Sequence, residues 1–243
     1  MTRLRPGVLA AVGAIIVFCG ACSGGSPAST PAAATTQPST SAAPTPPALD
    51  AAEVGSAVTD AAKQATSVHI RGAVSEGGST TLDLQLGQDR ATGTVTQDGT
   101  EIPVLRVGDK YYFRFTDSLV KKAGIPAAAG KQLTGKWVPS TAAVGAGIAE
   151  AFKQFLDYKT FLDNTVGQLG KSTFTGGEPA TVDGAAALKF TSPDGTATVA
   201  ADEPHYLLRM QDPKSGAMDF SEWNKPVTAT IPPKAEIYSG PGS

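Results

Sequence analysis

Two hydrophobic periods organise the chain from residue 49 onward. Val54, Val58, Ala61 and Ala65 recur at helical spacing and form one apolar stripe. Ahead of them Asp50 is placed to cap, Glu53 follows three residues later, and Leu49 can fold back onto Val54, so a helix is predicted from about residue 50 to near Thr66. The period then drops to two. Val68, Ile70 and Val74 face one way and His69 and Arg71 the other, while Leu82, Leu84 and Leu86 alternate with Thr81, Asp83 and Gln85. Over 89–97 smaller residues take the inner positions, with Ala91, Gly93 and Val95 set against Thr92, Thr94 and Thr96. Gln97-Asp98-Gly99-Thr100 is a hairpin signal. Strands over 102–107 and 111–115, joined through Gly108-Asp109, complete a predicted five-stranded antiparallel meander.

The middle of the chain loses this rhythm. Ala, Gly and Pro126 around Leu119 and Val120 predict an irregular segment over 116–130, and Gly135-Lys136-Trp137-Val138-Pro139-Ser140 a short extended piece. Val144, Ile148, Phe152, Phe155, Leu162 and Val166 then fall close to one stripe, with Glu150, Lys153, Asp157 and Asp163 largely off it, which predicts a helix. After Gly176-Gly177, read as a turn, strands are expected at 181–182, 185–191, 196–201, 205–211, 216–223 and 227–231, with turns at Asp183-Gly184 and Pro193-Asp194-Gly195. An opening helix, strands, a helical insert and more strands describe an α+β domain. Its expected form is a curved antiparallel β half-barrel of about ten strands with helices packed on its concave face.

The start of the chain follows different rules. Arg3 and Arg5 precede an almost wholly apolar run over 7–18, too short for a comfortable membrane span, and small residues with a polar low-complexity stretch follow at once. Cleavage as an export signal is the expectation. Gly20-Ala21-Cys22 places a cysteine directly after small residues, as lipid attachment before cleavage requires. Cys19 competes for that role but would put bulky Phe18 where the peptidase needs a small side chain, although Cys19 in turn occupies the place where a bacterial lipobox usually carries Leu. The expected product is a lipoprotein acylated on Cys22; a plain secreted protein cut near the same place is the alternative. Cys19 and Cys22 are the only two cysteines, so a mature chain would hold no internal disulfide, and the C-x-x-C spacing has no second pair to complete a zinc site.

Composition separates the remaining parts. Residues 1–21 read as signal peptide, and 22–48 as the lipidated cysteine and a disordered Ser/Thr/Pro/Ala tether with no charged residue. Extended, that tether would span on the order of 85 Å, and as a coil about 30 Å. Residues 49–233 form the folded domain, large enough for a sizeable core, and 234–243 a C-terminal tail. A formal net charge of −2 offers nucleic acid no basic stripe. The expected setting is the outer face of the cytoplasmic membrane, with a monomer held there by its anchor.

The order of elements, together with Phe220-Ser221-Glu222-Trp223-Asn224-Lys225-Pro226-Val227 and Ile231-Pro232-Pro233, resembles the LppX/LprG-type lipoproteins of mycobacteria and relatives. Gly108-Asp109-Lys110-Tyr111-Tyr112 and Gly135-Lys136-Trp137 are similar to that family too, and to the broader LolA-like half-barrels. The resemblance covers nearly the whole domain. It implies a half-barrel that shields the acyl tails of a lipid or glycolipid, moves it between membrane and envelope, and can work with an envelope transporter.

Catalytic chemistry has little to stand on. His69 and His205 are the only histidines, each expected on the polar parity of a strand and solvated, and no nucleophile elbow, zinc-protease motif or phosphate loop is present. Neither a metal nor a cofactor is expected. The inward strand positions are often small, as at Ala91, Gly93, Ala185, Ala187, Ala197 and Ala201, which leaves volume for the helix side chains and for acyl chains. The shelter is expected to be lined by Leu82, Leu84, Val95, Val104, Tyr111, Phe113, Phe152 and Phe155. Two other classes compete: a protein-binding or regulatory lipoprotein with a filled core, and a small hydrolase with an unrecognised site.

Overall fold

A computed structural model describes residues 49–75 and 79–240. The export signal, Cys22 and the tether fall outside the described residues, as does the turn expected at Glu76-Gly77-Gly78.

Helix α1 runs Val54–Gln64, and its expected stripe of Val54, Val58, Ala61 and Ala65 is buried. Its entry differs from the expected cap. The Asp50 side chain accepts the Ala52 N–H (3.1 Å) and its carbonyl takes the Glu53 and Val54 N–H groups, so a turn precedes the helix and no side chain caps Glu53.

Strands β1 (Ser67–Val74), β2 (Thr80–Gly87), β3 (Arg90–Gln97), β4 (Thr100–Val107) and β5 (Lys110–Arg114) form the expected meander, each antiparallel to the next. Asp98 and Gly99 both have positive φ (48° and 75°), the turn whose twist matches the strands it joins. Gly93, expected merely to be small, has a sharper role. At φ 145° it faces β2, and a Cβ there would lie 2.0 Å from the Asp83 carbonyl oxygen.

The segment expected to be irregular is helical. The Thr116 hydroxyl accepts the Leu119 N–H (3.2 Å) and opens α2 (Asp117–Lys122); α3 (Ala127–Leu133) follows, and Leu119, Val120 and Leu133 bury one side of the pair. Strand β6 (Trp137–Pro139) then adds to β5. The helix expected next is three helices: α4 (Ala143–Leu156), α5 (Tyr158–Asn164) and α6 (Val166–Leu169). Asp157 breaks it, adopting an extended backbone while its carboxylate accepts the Thr160 N–H at 2.8 Å. The deepest face of α4 carries Gly145, Ala149, Phe152 and Leu156, and Val144, Ile148 and Phe155 flank it half-buried.

Strands β7 (Thr175–Val182), β8 (Ala185–Ser192), β9 (Gly195–Ala200), β10 (Leu207–Asp212) and β11 (Gly216–Ser221) complete one eleven-stranded antiparallel sheet. Its order, β6-β5-β4-β3-β2-β1-β11-β10-β9-β8-β7, joins the two halves where β1 meets β11, with Ile70 opposite Phe220. The sheet curves without closing and takes the helices on its concave side. Gly176-Gly177 is a bulge inside β7, not a turn before it. The period-two run over 227–231 forms no strand. Pro226 and the Pro232-Pro233 pair restrict it, and it lies on the outer face, where Val227 and Ala229 pack with Leu105, Tyr112 and Trp137. The packing continues past Pro233, for Ile237 bridges to Trp137 and the Lys136 ammonium donates to the Ala235 carbonyl.

The inner small residues are partly as expected. Ala91 and Ala197 are buried, whereas Ala185 is exposed, Ala201 lies past the end of β9, and Ala187 is buried on the parity opposite Leu188 and Phe190, which join the core.

Candidate functional site

The eight residues expected to line an interior all lie in or against the main core, but they do not line one open cavity. Leu84, Val95, Val104 and Phe113 are fully buried in the main core, and Phe152 sits between Phe113 and Phe155 with ring centroids 6.2 Å from each. Tyr111 is half-buried beneath the Arg106 guanidinium, 5.7 Å from its ring centroid. Only Leu82 and Phe155 reach an open cleft.

That cleft, of ≈ 570 Å³, lies between α4–α5 and the strand ends where β1, β10 and β11 meet. Its apolar lining includes Val74, Leu82, Phe155, Phe161, Met210 and Met218, and its polar lining Gln154, Asn164, Thr165, Gln168, Asp212 and Ser215. Leu82, Phe161 and Met218 are buried and Gln154, Asn164 and Gln168 exposed, so the floor is apolar and the mouth polar. A smaller cleft of ≈ 140 Å³ shares Thr165, Gln168, Met210 and Asp212 with it and runs on beside Phe174. The larger volume lies within the usual range for small-molecule sites.

Local structure explains this placement. Asp157 ends α4 early, and Thr165, with φ −114° and ψ −82°, ends α5, so α5 is a short helix free of its neighbours' axes. Phe161 therefore faces the cleft, where one continuous helix would turn it elsewhere. Met210 and Met218 are directly paired across β10 and β11. Neither stood out in the sequence, although Met218 and Phe220 alternate with Asp219 in a pattern that places both inward.

One carboxylate, Asp212, lines the mouth, and the Lys171 ammonium lies 3.1 Å from the amide oxygen of Gln168 there. The Ser215 hydroxyl and the Lys214 backbone N–H, each 2.7 Å from the Asp212 carboxylate, hold that carboxyl below the usual range. On the outer face His69 is not solvated as expected. Its ring lies between Asp83, 2.7 Å from Nε2, and Glu222, 3.6 Å from Nδ1, with 14% of the side chain exposed. His205 is not in a strand; it sits at φ 60° in the β9–β10 connection, Nδ1 3.1 Å from the Ala200 carbonyl.

The Phe220–Val227 motif is architectural here. Trp223 stacks on Tyr206 (4.9 Å, 9° between planes) and donates to the Leu207 carbonyl at 2.9 Å. Asn224 accepts the Thr66 N–H at 2.8 Å and donates to the Tyr206 hydroxyl.

This architecture is an open antiparallel half-barrel holding helices and a cleft in its concavity. Solved structures with it include LprF from Mycobacterium bovis, 16% identical, covering 75% of this chain and 96% of that one at a TM-score of 0.51. The Mycobacterium tuberculosis lipoprotein LppX is 19% identical over 74% of this chain and 98% of its own, at a TM-score of 0.46. The Pseudomonas aeruginosa MucA/MucB complex is matched at 15% identity over 79% of this chain and 62% of that one, with a TM-score of 0.33. At the level of fold the chain matches the LppX/LprG-type lipoproteins that its motifs resemble. No protein-family model and no curated protein sequence matches it.

Proposed function

We propose that this protein is a membrane-anchored carrier that binds the acyl chains of a lipid or glycolipid in the ≈ 570 Å³ cleft and moves it within the cell envelope. The observation that carries the reading is the cleft's division into a buried floor of Leu82, Phe161 and Met218 and an exposed polar mouth. Each methylene withdrawn from water on such a floor contributes about 0.8 kcal/mol, enough for several to hold a chain that would not cross water alone. A lipid on Cys22 and a long uncharged tether would keep the domain near its source membrane while leaving it free to turn. The domain acts by binding and performs no reaction. An envelope transporter is its natural partner, and it works as a monomer.

Native mass spectrometry of the full chain expressed in an actinobacterial host is the direct test. Retained lipid is the expected result, and Met210→Trp, which places an indole in the cleft from the inward face of β10, should abolish retention while the domain stays folded. Neither retained lipid nor uptake of added lipid would overturn the proposal.

One observation favours a second reading, a protein-binding or regulatory lipoprotein. Five of the eight residues expected to line a shelter are packed into a closed core instead. Co-purified protein with no lipid in the same experiment supports that alternative.

A further inference from the structure

Beyond Met1 the chain has two methionines, Met210 and Met218, and past Cys22 they carry its only sulfur. Both line the ≈ 570 Å³ cleft, directly opposite each other across β10 and β11. Their surroundings differ. Met218 is buried and lies over Gly72, where a Cβ would come within 2.9 Å of the Met218 Cγ. Met210 is half-buried at the edge of the core and lines the ≈ 140 Å³ cleft as well as the larger one.

Sulfur chemistry gives that difference a consequence, because oxidation of a thioether follows its exposure. With hydrogen peroxide, a sulfur lone pair forms the S–O bond, the O–O bond breaks, and the departing hydroxide takes the proton of the transferred oxygen and leaves as water. The sulfur loses two electrons and the peroxide gains them. A flexible apolar side chain becomes a polar sulfoxide whose oxygen needs a donor. The residues paired with Met210 across the sheet, Met218 and Ala197, offer no side-chain donor. Of the polar groups that share both clefts with it, the Thr165 hydroxyl already donates to the Phe161 carbonyl (2.7 Å) and the Gln168 amide to the Asp163 carbonyl (2.8 Å), while Asp212 is a carboxylate acceptor.

We infer that Met210 is an oxidation site, and that its conversion to the sulfoxide by peroxide makes the cleft polar and releases an acyl chain held there. The inference rests on the acyl-binding reading above and adds a redox control to the same site.

The test treats the purified full chain with hydrogen peroxide and then with trypsin, which cuts after Arg209 and Lys214 and so separates the two methionines for mass spectrometry. Met210 should be oxidised faster than Met218 by about fivefold or more, and more slowly once dipalmitoylglycerol has been added. Uptake of dipalmitoylglycerol, read by native mass spectrometry, should weaken about tenfold on oxidation, the effect of a buried polar group without a partner. Methionine sulfoxide reductases with a thiol reductant should restore it. Met210→Leu should remove the response, so that uptake is equal before and after peroxide. Met218 oxidised as fast as Met210, or oxidised protein that binds the lipid as well as untreated protein, would overturn the switch while the acyl reading stands. If untreated protein takes up no dipalmitoylglycerol, the acyl reading falls and the switch falls with it.

Discussion

The Arg106 guanidinium, on the inward parity of β4, lies 3.2 Å from the carboxylate of Asp157, the residue that breaks the helical layer between α4 and α5. The same guanidinium donates to the Leu156 carbonyl at the end of α4 (3.3 Å) and to the Gly108 carbonyl (3.0 Å). One charged side chain on the concave face thus fixes both the end of α4 and the start of α5, and with them the wall of the cleft. Arg106→Met should keep much of the buried stem while removing the bonds. It is expected to lower stability by about 2 kcal/mol, because the pair is only partly sheltered and Asp157 stays about a third exposed. Urea unfolding followed by tryptophan fluorescence measures this. An unchanged midpoint would show that the helix break holds without the pair.

Acid should loosen the fold through two carboxyls. Burial pushes Asp157 up, but the Thr160 backbone N–H and hydroxyl and the Arg106 and Lys159 charges outweigh it and hold the carboxyl low. Asp83 behaves alike, burial being outweighed by its bonds to His69 and Arg71. A carboxyl whose folded pKa lies below its unfolded value contributes stability that is complete above the unfolded value. That contribution is lost as pH falls through the folded one. The melting temperature should therefore hold near neutrality and fall below about pH 4. Asp83→Asn should melt lower at neutral pH and lose less on acidification, as a pH series of thermal melts would record.

Gly93→Ala tests the close approach of β3 to β2. The added methyl would meet the Asp83 carbonyl at 2.0 Å in a conformation that L-residues avoid. A loss of about 3 kcal/mol is expected, seen as a drop in the urea midpoint with an unchanged slope. A silent substitution would contradict this backbone geometry.

Asn224→Ala tests the architectural role of the Phe220–Val227 motif. Asn224 sits at φ 63°, accepts the Thr66 N–H just past α1 and holds the Tyr206 hydroxyl. Its loss should cost about 2 kcal/mol, from an unpaired N–H and a conformation that Ala tolerates poorly. Lipid retention by the folded fraction should not change. If retention falls while stability holds, the motif belongs to the ligand site.

Cys22→Ala addresses the anchor. The variant is expected to leave the membrane fraction and appear as soluble, folded protein, since two acyl chains anchor stably where one would not. Fractionation followed by immunoblotting reads this out, and a variant still pelleting with membrane would refute lipidation at Cys22.

Much of the architecture is legible in the residues alone, for a physical reason. A strand with one face buried must alternate, so Leu82, Leu84 and Leu86 declare their face, and Asp98-Gly99 declares its turn by tolerating positive φ at both positions. The stripe of α1 is equally local. What tertiary structure decided lies where two patterns compete or where a partner is distant. The stripe from Val144 to Val166 reads as one helix, but Asp157 can leave it because Arg106, fifty-one positions earlier by the residue numbers, meets it there. The run over 227–231 alternates like a strand because one side is buried, yet it lies across the outer face of β4–β6 without joining the ladder. Inward parity likewise says which side chains leave water without saying whether other side chains will fill the space beside them. Phe113 and Phe152 closed most of the interior. The break that frees α5 left the cleft at Leu82, Phe155 and Met218, because packing depends on how elements meet, and period and propensity describe each element alone.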